Sequence, residues 1–374
     1  MNQYVLYIIG SFVVSMVCGF LAIPQVVRFC KKKELYDRPS MRKVHKCSVP
    51  RLGGICFIPS MLLSSILMIV VFNQNVVNNE ITVSIWSIYF FVSLMLVYGV
   101  GLVDDIVSLG PKTKFAVQLL AAALLPASGL YINNMYGFLG IYEIPYYIGA
   151  PLTVFALVFI DNAMNLIDGI DGLSGGLSLI ALAGFLMCFA RESVWTYCIL
   201  IAGLMGVLVA FLYFNIMGDK GGKQQKIFMG DSGSLTLGFI LGFLLVKFSM
   251  DNPSVMPFRK DSLMLSCTLL TIPIFDVCRI IMVRMLHRRP IFGADKNHIH
   301  HKLMRAGMSQ HQALCTILAL AVFYIAFNYL MFDLMYYSSI VLLDVLVWLI
   351  FHACLNVVIK KRGQEVFFKD VSNG

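Results

Sequence analysis

The sequence predicts an all-α polytopic integral membrane protein of about eleven transmembrane helices, with the amino terminus outside and the carboxyl terminus in the cytoplasm. Three observations predict it. The 374 residues are 59% hydrophobic and 13% charged, with a mean hydropathy of +0.81. A soluble domain carries roughly a quarter charged residues, about twice that fraction. Apolar runs recur along the whole chain at about the 20 residues that a bilayer-crossing helix needs. The lysines and arginines crowd into alternate gaps between those runs.

The first run, 4–27, is too long for a signal-peptide core and lacks a basic start and a small-residue cleavage site, which predicts a retained span. Further spans are predicted over 52–72, 81–103, 113–131, 147–164, 173–190, 195–217, 232–249, 262–285, 311–331 and 334–359. An odd number places the two termini on opposite sides. The gap at 28–51 holds nine basic residues, and with the later gaps on its side and the carboxyl-terminal tail it collects 24 of the 29 Lys and Arg. So strong a bias marks that side as cytoplasmic. The net charge of +9 therefore serves topology and attraction to anionic lipid or substrate phosphates, and nucleic acid is not expected. The outer loop 132–146, NNMYGFLGIYEIPYY, is aromatic and suits the membrane interface.

Ten cysteines are scattered with no CxxC pair, which reads as small packing residues in reducing surroundings. No repeat, low-complexity tract or separate soluble domain interrupts the pattern. The chain is read as one catalytic domain over 1–374, its site built from loops near 28–51, 104–113, 165–172, 218–231 and 286–310.

Acidic and histidine residues gather on the basic side. Asp104 and Asp105 close the third span in GLVDDI. Asn165, Asp168 and Asp171 stand three apart in NAMNLIDGIDGLSGG, a spacing that keeps side chains near one face at a helix end. Asp231 precedes the eighth span in FMGDSGS, and His298, His300 and His301 lie in FGADKNHIHHKL. Taken singly, each has a plainer explanation: a solvated helix stop, a glycine-rich turn, an ordinary helix start, or a zinc site that lacks its remaining ligands. Their shared side is what those explanations leave over. The opposite loops carry only scattered acids, and Asp161, Asp276 and Asp344 are the acidic residues placed inside spans.

Carboxylates at a membrane rim among lysines suit a hard divalent cation that in turn holds phosphates. Mg2+ takes one or two carboxylates and fills its remaining positions with water and phosphate oxygens, and cationic side chains stabilise the charge that builds during phosphoryl transfer. No P-loop motif is present, which excludes that class of ATPase. The reading is a membrane-embedded phosphoryl-transfer enzyme, with a lipid-linked acceptor as the reason for the membrane.

At these motifs the chain resembles the bacterial polyprenyl-phosphate N-acetylhexosamine-1-phosphate transferases, relatives of the translocase that makes the first lipid intermediate of peptidoglycan. The likeness spans about residues 37–306 and rests on DRPSMRKVHKCSVPRLGG, GLVDDI with PKTKF, NAMNLIDGIDGLSGG, FNIMGDKGGKQQKIFMGDSGS and RRPIFGADKNHIHHKL. It implies Mg2+-dependent transfer of a sugar-1-phosphate, with N-acetylglucosamine as the default sugar, from a UDP-N-acetylhexosamine to undecaprenyl phosphate, releasing UMP. Mn2+ is the expected substitute metal. It also implies a bacterial inner-membrane enzyme with its site facing the cytoplasm, initiating a cell-surface polysaccharide such as O-antigen lipopolysaccharide, teichoic acid or capsule, and a homodimer.

Carried over by motif, Asp104, Asp105 and Asp231 are the catalytic residues, and Asp231 and Asp168 the metal ligands. Lys114, Asn165, Asp168, Asp171, Asn215, His298, His300 and His301 become substrate-binding residues, with Arg42, His45 and Arg51 as weaker phosphate contacts. Three rivals stand beside this reading: a muramyl-pentapeptide donor with the same chemistry, a transporter with an ion pathway through its intramembrane carboxylates, and a non-catalytic scaffold.

Overall fold

The computed structural model describes residues 2–37, 48–75, 85–219, 224–253, 256–290 and 296–367. Long apolar helices account for most of it: α1 (Asn2–Lys33), α2 (Phe57–Asn75), α3 (Ile85–Val107), α4 (Pro111–Ala127), α5 (Tyr146–Ile167), α6 (Leu173–Arg191), α7 (Trp195–Met217) and α8 (Asp231–Ser249). Then come α9 (Ser262–Thr268), α10 (Thr271–Leu286), α11 (Ile299–Arg305), α12 (Gln310–Met331) and α13 (Tyr337–Lys361).

Among the described residues nine helices are long and apolar enough to cross a membrane. Eleven spans are expected from the sequence, and the two that fall short do so for local reasons. The fourth, α4, starts on Pro111 and is 17 residues long. The ninth is broken into α9 and α10. Pro273, in the first turn of α10, lacks the N–H that would continue the ladder from α9, and the apolar run is broken there.

α8 is the centre of the larger core. Every residue from Ser232 to Ser249 is buried, and α3, α5, α6 and α9 pack around it. A helix apolar on all sides belongs inside a bundle, and Phe90 of α3 stacks on Phe243 of α8 with ring centroids 3.8 Å apart. A second core joins the start of α6 to α10–α13, around Ile299, Leu303, Tyr324 and Trp348. The outer helices leave apolar side chains exposed, as lipid-facing helices do: Leu6, Ile88 and Ile350 among them.

At one end of the bundle, β1 (Tyr36–Asp37) and β2 (Val49–Pro50) pair antiparallel. The chain after β2 lies along the segment before α8: Gly53 and Gly54 donate to the carbonyls of Phe228 and Met229, and Phe228 donates back to Pro50. The PRLGG and FMGDSGS motifs are thus laced together by backbone hydrogen bonds. The nine described cysteines are all unpaired.

Candidate functional site

The site forms where α3, α4, α5 and α8 end together. Lys114 Nζ stands between two carboxylates, 3.1 Å from Asp104 and 2.6 Å from Asp231. Asn165 donates to Asp231 at 3.1 Å and to the Ser234 hydroxyl at 2.8 Å. Asp104 also accepts from the Leu109 N–H at 2.6 Å, which turns the chain out of α3. The carboxyls of Asp104 and Asp231 are brought together on the one Lys114 ammonium. Two carboxylates that close repel unless a proton or a cation lies between them.

Asp105, adjacent in sequence, faces another way. It is buried, and its two oxygens accept from the N–H groups of Asp231 and Ser232 at 2.8 and 2.9 Å. A carboxylate there satisfies orphan donors and complements the positive end of the helix dipole. Asp105 is therefore placed to position Asp231. Gly230 makes room for this contact: its φ is +74°, and a Cβ on it would stand 2.5 Å from the Asp105 carboxylate and 2.1 Å from the Arg51 carbonyl.

The motif at 165–171 does not lie on one helix face, because α5 ends at Ile167 and the three side chains part there. Asn165 reaches Asp231, and Asp171 pairs with Lys226 at 2.7 Å. Between them, Asp168 has its carboxyl pushed up to about 7, first by burial and then by the charges of Asp231, Asp171 and Asp105. Asn215 fixes the loop from below, accepting from Gly172 N–H at 2.7 Å and donating to the Ile227 carbonyl at 2.9 Å. It is buried, with both amide ends engaged on backbone.

The histidines approach from the second core. His298 Nδ1 is 2.7 Å from Asp276, whose other oxygen accepts from the Ile299 N–H at 3.0 Å and from Arg279 at 2.8 Å. Arg279 also donates to the Asn297 carbonyl. His298 and His300 stack with ring centroids 5.9 Å apart, and His300 meets His301 at 4.2 Å. His300 lies against Gly169, so the histidine loop abuts the Asp168 loop. It is 1% exposed, yet neither ring nitrogen has a hydrogen-bond partner. Burial and the neighbouring histidines hold His300 well below the usual histidine range, and put His301 at about 4.

Arg51 donates to the Ser108 hydroxyl at 3.3 Å, beside the Asp104 turn. Arg42 and His45 lie outside the described residues. Asp276 and Arg279 are the neighbours of the histidine cluster that motif reading missed as site residues. Their signal was available: an acid and a base three apart inside an apolar segment need a reason to be there.

No group of three His, Cys, Asp or Glu side chains forms a ready metal cage among the described residues. The chemistry of the site nonetheless fits a cation such as Mg2+, which needs only one or two carboxylates. Asp104 and Asp231 share Lys114 as their bonded cation, and nearby Asp168 has its carboxyl raised first by burial and then by the charges of Asp231, Asp171 and Asp105.

A polar, acidic rim on a bundle of lipid-exposed apolar helices defines a multi-pass membrane enzyme rather than a soluble one. The model of glycosyl transferase family 4 matches residues 85–249, the stretch from α3 to the end of α8. A Bacillus subtilis (strain 168) protein described as a probable undecaprenyl-phosphate N-acetylglucosaminyl 1-phosphate transferase is 31% identical over 93% of this chain and 88% of its own length. Undecaprenyl-phosphate α-N-acetylglucosaminyl 1-phosphate transferases of Yersinia pestis and Escherichia coli (strain K12) are each 28% identical. They cover 85% and 78% of this chain, and 80% and 74% of their own lengths. The chain belongs to glycosyl transferase family 4.

Proposed function

We propose that this enzyme transfers N-acetylglucosamine 1-phosphate from its UDP-sugar to undecaprenyl phosphate at the cytoplasmic face of a bacterial inner membrane, releasing UMP. The observation that carries the proposal is the sharing of Lys114 by Asp104 and Asp231 at the rim of the helix bundle. There a lipid tail stays among apolar helices while its phosphate meets a water-soluble donor. The similarity to the Bacillus subtilis protein over nearly the full chain supports the same reaction.

An oxygen of the acceptor phosphate would attack the β-phosphorus of the donor in line. A new phosphoric anhydride forms, the α–β anhydride breaks, and UMP takes the bonding pair. Lys114 is placed to hold phosphate oxygens, and Asn165 and Asp105 to fix Asp231 in orientation. Asp231 and Asp168 are the residues that would hold Mg2+, which when bound would neutralise charge on the transferred phosphate. His300, buried and uncharged with both nitrogens unengaged, is suited to hydrogen-bond the donor.

The topology that goes with this reading is eleven spans, with the basic loops and the site inside. The deciding experiment uses the purified protein with undecaprenyl phosphate, Mg2+ and sugar-labelled UDP-N-acetylglucosamine. UMP release matched by a labelled diphospholipid is the expected result. UDP release would mean plain glycosyl transfer and would overturn the mechanism; turnover only with another UDP-amino sugar would keep the reaction and change the donor.

A further inference from the structure

A second cationic feature lies on the other flank of α11. His301 and Arg305, four residues apart and so on one helix face, line an open cavity of about 650 Å³ together with Lys296. Across the cavity stand Arg362, at the end of α13, and Gln364. Three permanent positive charges converge there, and none of the described lining residues is acidic.

The cavity is built rather than incidental. The Arg305 guanidinium donates to the carbonyls of Glu365 and Lys296, at 3.1 and 3.3 Å, and to Asn297 Oδ1 at 3.1 Å, which fixes its fork. Arg362 lies directly over Gly307: a Cβ there would fall 1.6 Å from the guanidinium, and the φ of +93° also favours glycine. A side chain at that turn would displace the guanidinium from this position.

The surface leading to it is independent of the cavity and points to an amphiphile. Ile350, Cys354 and Val358 of α13 form a row at four-residue spacing that Arg362, the residue capping the helix end, continues. The three residues before the arginine are exposed. Twelve residues of helix rise about 18 Å, close to the roughly 15 Å of hydrocarbon in one leaflet of a bilayer whose core is about 30 Å thick. A chain laid along this row would bring a headgroup to Arg362 at the depth where headgroups lie. A soluble anion would have no use for the row.

We infer that the Lys296–Arg305–Arg362 cavity binds the phosphate headgroup of an anionic membrane lipid, with one acyl chain lying along the Ile350–Cys354–Val358 row. Basic pockets beside transmembrane helices take such headgroups, each nearby Lys or Arg contributing about 1 kcal/mol. Because Arg305 and His301 share α11 with His300, the bound lipid would brace the histidine loop.

The test is native mass spectrometry of the full chain in detergent with equimolar dioleoyl phosphatidylglycerol and phosphatidylcholine. The unmutated protein should retain one phosphatidylglycerol in clear preference. Arg362→Gln should weaken that retention about fivefold, and Arg305→Gln with Arg362→Gln about 25-fold, on the per-charge scale above. Arg362→Lys should keep most of it, and all variants should melt within a few degrees of the parent. Lys360→Gln removes equal charge off the row. If it weakens retention as much as Arg362→Gln does, general surface attraction explains the result and the site is refuted. Equal retention by the double variant refutes it too. Complete displacement of the lipid by millimolar inorganic phosphate would show a site for soluble phosphate and overturn the lipid assignment.

Discussion

The aspartate cluster and the histidine cluster meet at Gly169, but they are built on opposite principles. Around Asp231 the charges do not balance: Asp104 and Asp231 share one lysine, and the carboxyl of nearby Asp168 is raised to about 7 by burial and by its acidic neighbours. Around His298 they do balance. Asp276 accepts from Arg279, from the Ile299 N–H and, at its remaining oxygen, meets the His298 ring. One side is an incomplete electrostatic arrangement that a cation and phosphates would complete. The other pairs its buried charges, Asp276 with Arg279 and His298, and so holds the histidine loop in place. Function and stability should therefore separate between the two when residues are removed.

The largest effect is expected at Asp231. Asp231→Asn should reduce turnover at least about a thousandfold, the scale of removing a group that acts on transition-state charge. The melting temperature should barely move, since Lys114 keeps Asp104. Excess EDTA on the unmutated enzyme should do the same. Near-normal turnover by the variant at ordinary Mg2+ concentrations would remove Asp231 from the metal site.

Asp276 should behave in the contrary way. Asp276→Asn leaves the Arg279 charge buried without its partner, a loss of about 3–5 kcal/mol in stability. Turnover should fall about 10- to 100-fold, as when the partner that orients a functional histidine is lost. The double variant Asp276→Asn with Arg279→Met should recover stability but not turnover. Recovery of both would make the network purely structural and dissolve the comparison.

Asp105 tests the boundary between the two kinds of residue, because it lies in the acidic cluster yet is fully bonded. Asp105→Asn keeps one acceptor and loses the other from the first turn of α8. A cost of about 1–3 kcal/mol is expected for a charged hydrogen bond left unmade. Turnover should fall about tenfold, chiefly as a raised Mg2+ requirement measured by titration. A loss as deep as that of Asp231→Asn would mean that Asp105 touches the reacting groups directly.

The acidic half was far more legible in the sequence than the histidine half. Asp104, Asp105 and Asp231 announce themselves because a carboxylate at the end of an apolar run is costly and therefore informative. Their convergence follows from the bundle bringing α3 and α8 together. Spacing could not say that Asp105 faces the α8 backbone while Asp104 faces Lys114, since neighbouring residues on a helix point about 100° apart in directions that only packing sets. It also placed Asn165, Asp168 and Asp171 on one face, which the end of α5 at Ile167 undoes. Asp276 and Arg279 were visible as intramembrane charges, but their partners lie about 20 residues on, beyond a loop, and no local periodicity links them. Of the two expected spans that fell short, one ends at Ala127 rather than 131, and the other is split before Pro273, where hydropathy counts apolar side chains and ignores a missing N–H.

The smallest effect concerns pH, and it too distinguishes the halves. His301 is held at about 4 and His300 well below the ordinary histidine range, chiefly by burial. Between about pH 6.5 and 4 the unfolded chain binds protons at these positions and the folded chain does not, so stability rises with pH across that window. The contribution is complete above the unfolded value near 6.5 and is lost as pH falls toward 4. Melting temperatures should therefore fall as pH is lowered through that interval, and His301→Gln should flatten part of that fall. Asp168 has the opposite sign: its folded value is raised, so the stability it contributes is present below the unfolded carboxyl value and lost as pH rises through about 7. Mg2+, which favours the ionised carboxylate, should remove the Asp168 part of the profile and leave the histidine part untouched. If Mg2+ changed both parts equally, the two clusters would be one electrostatic unit rather than a cation site braced by a neutral histidine loop.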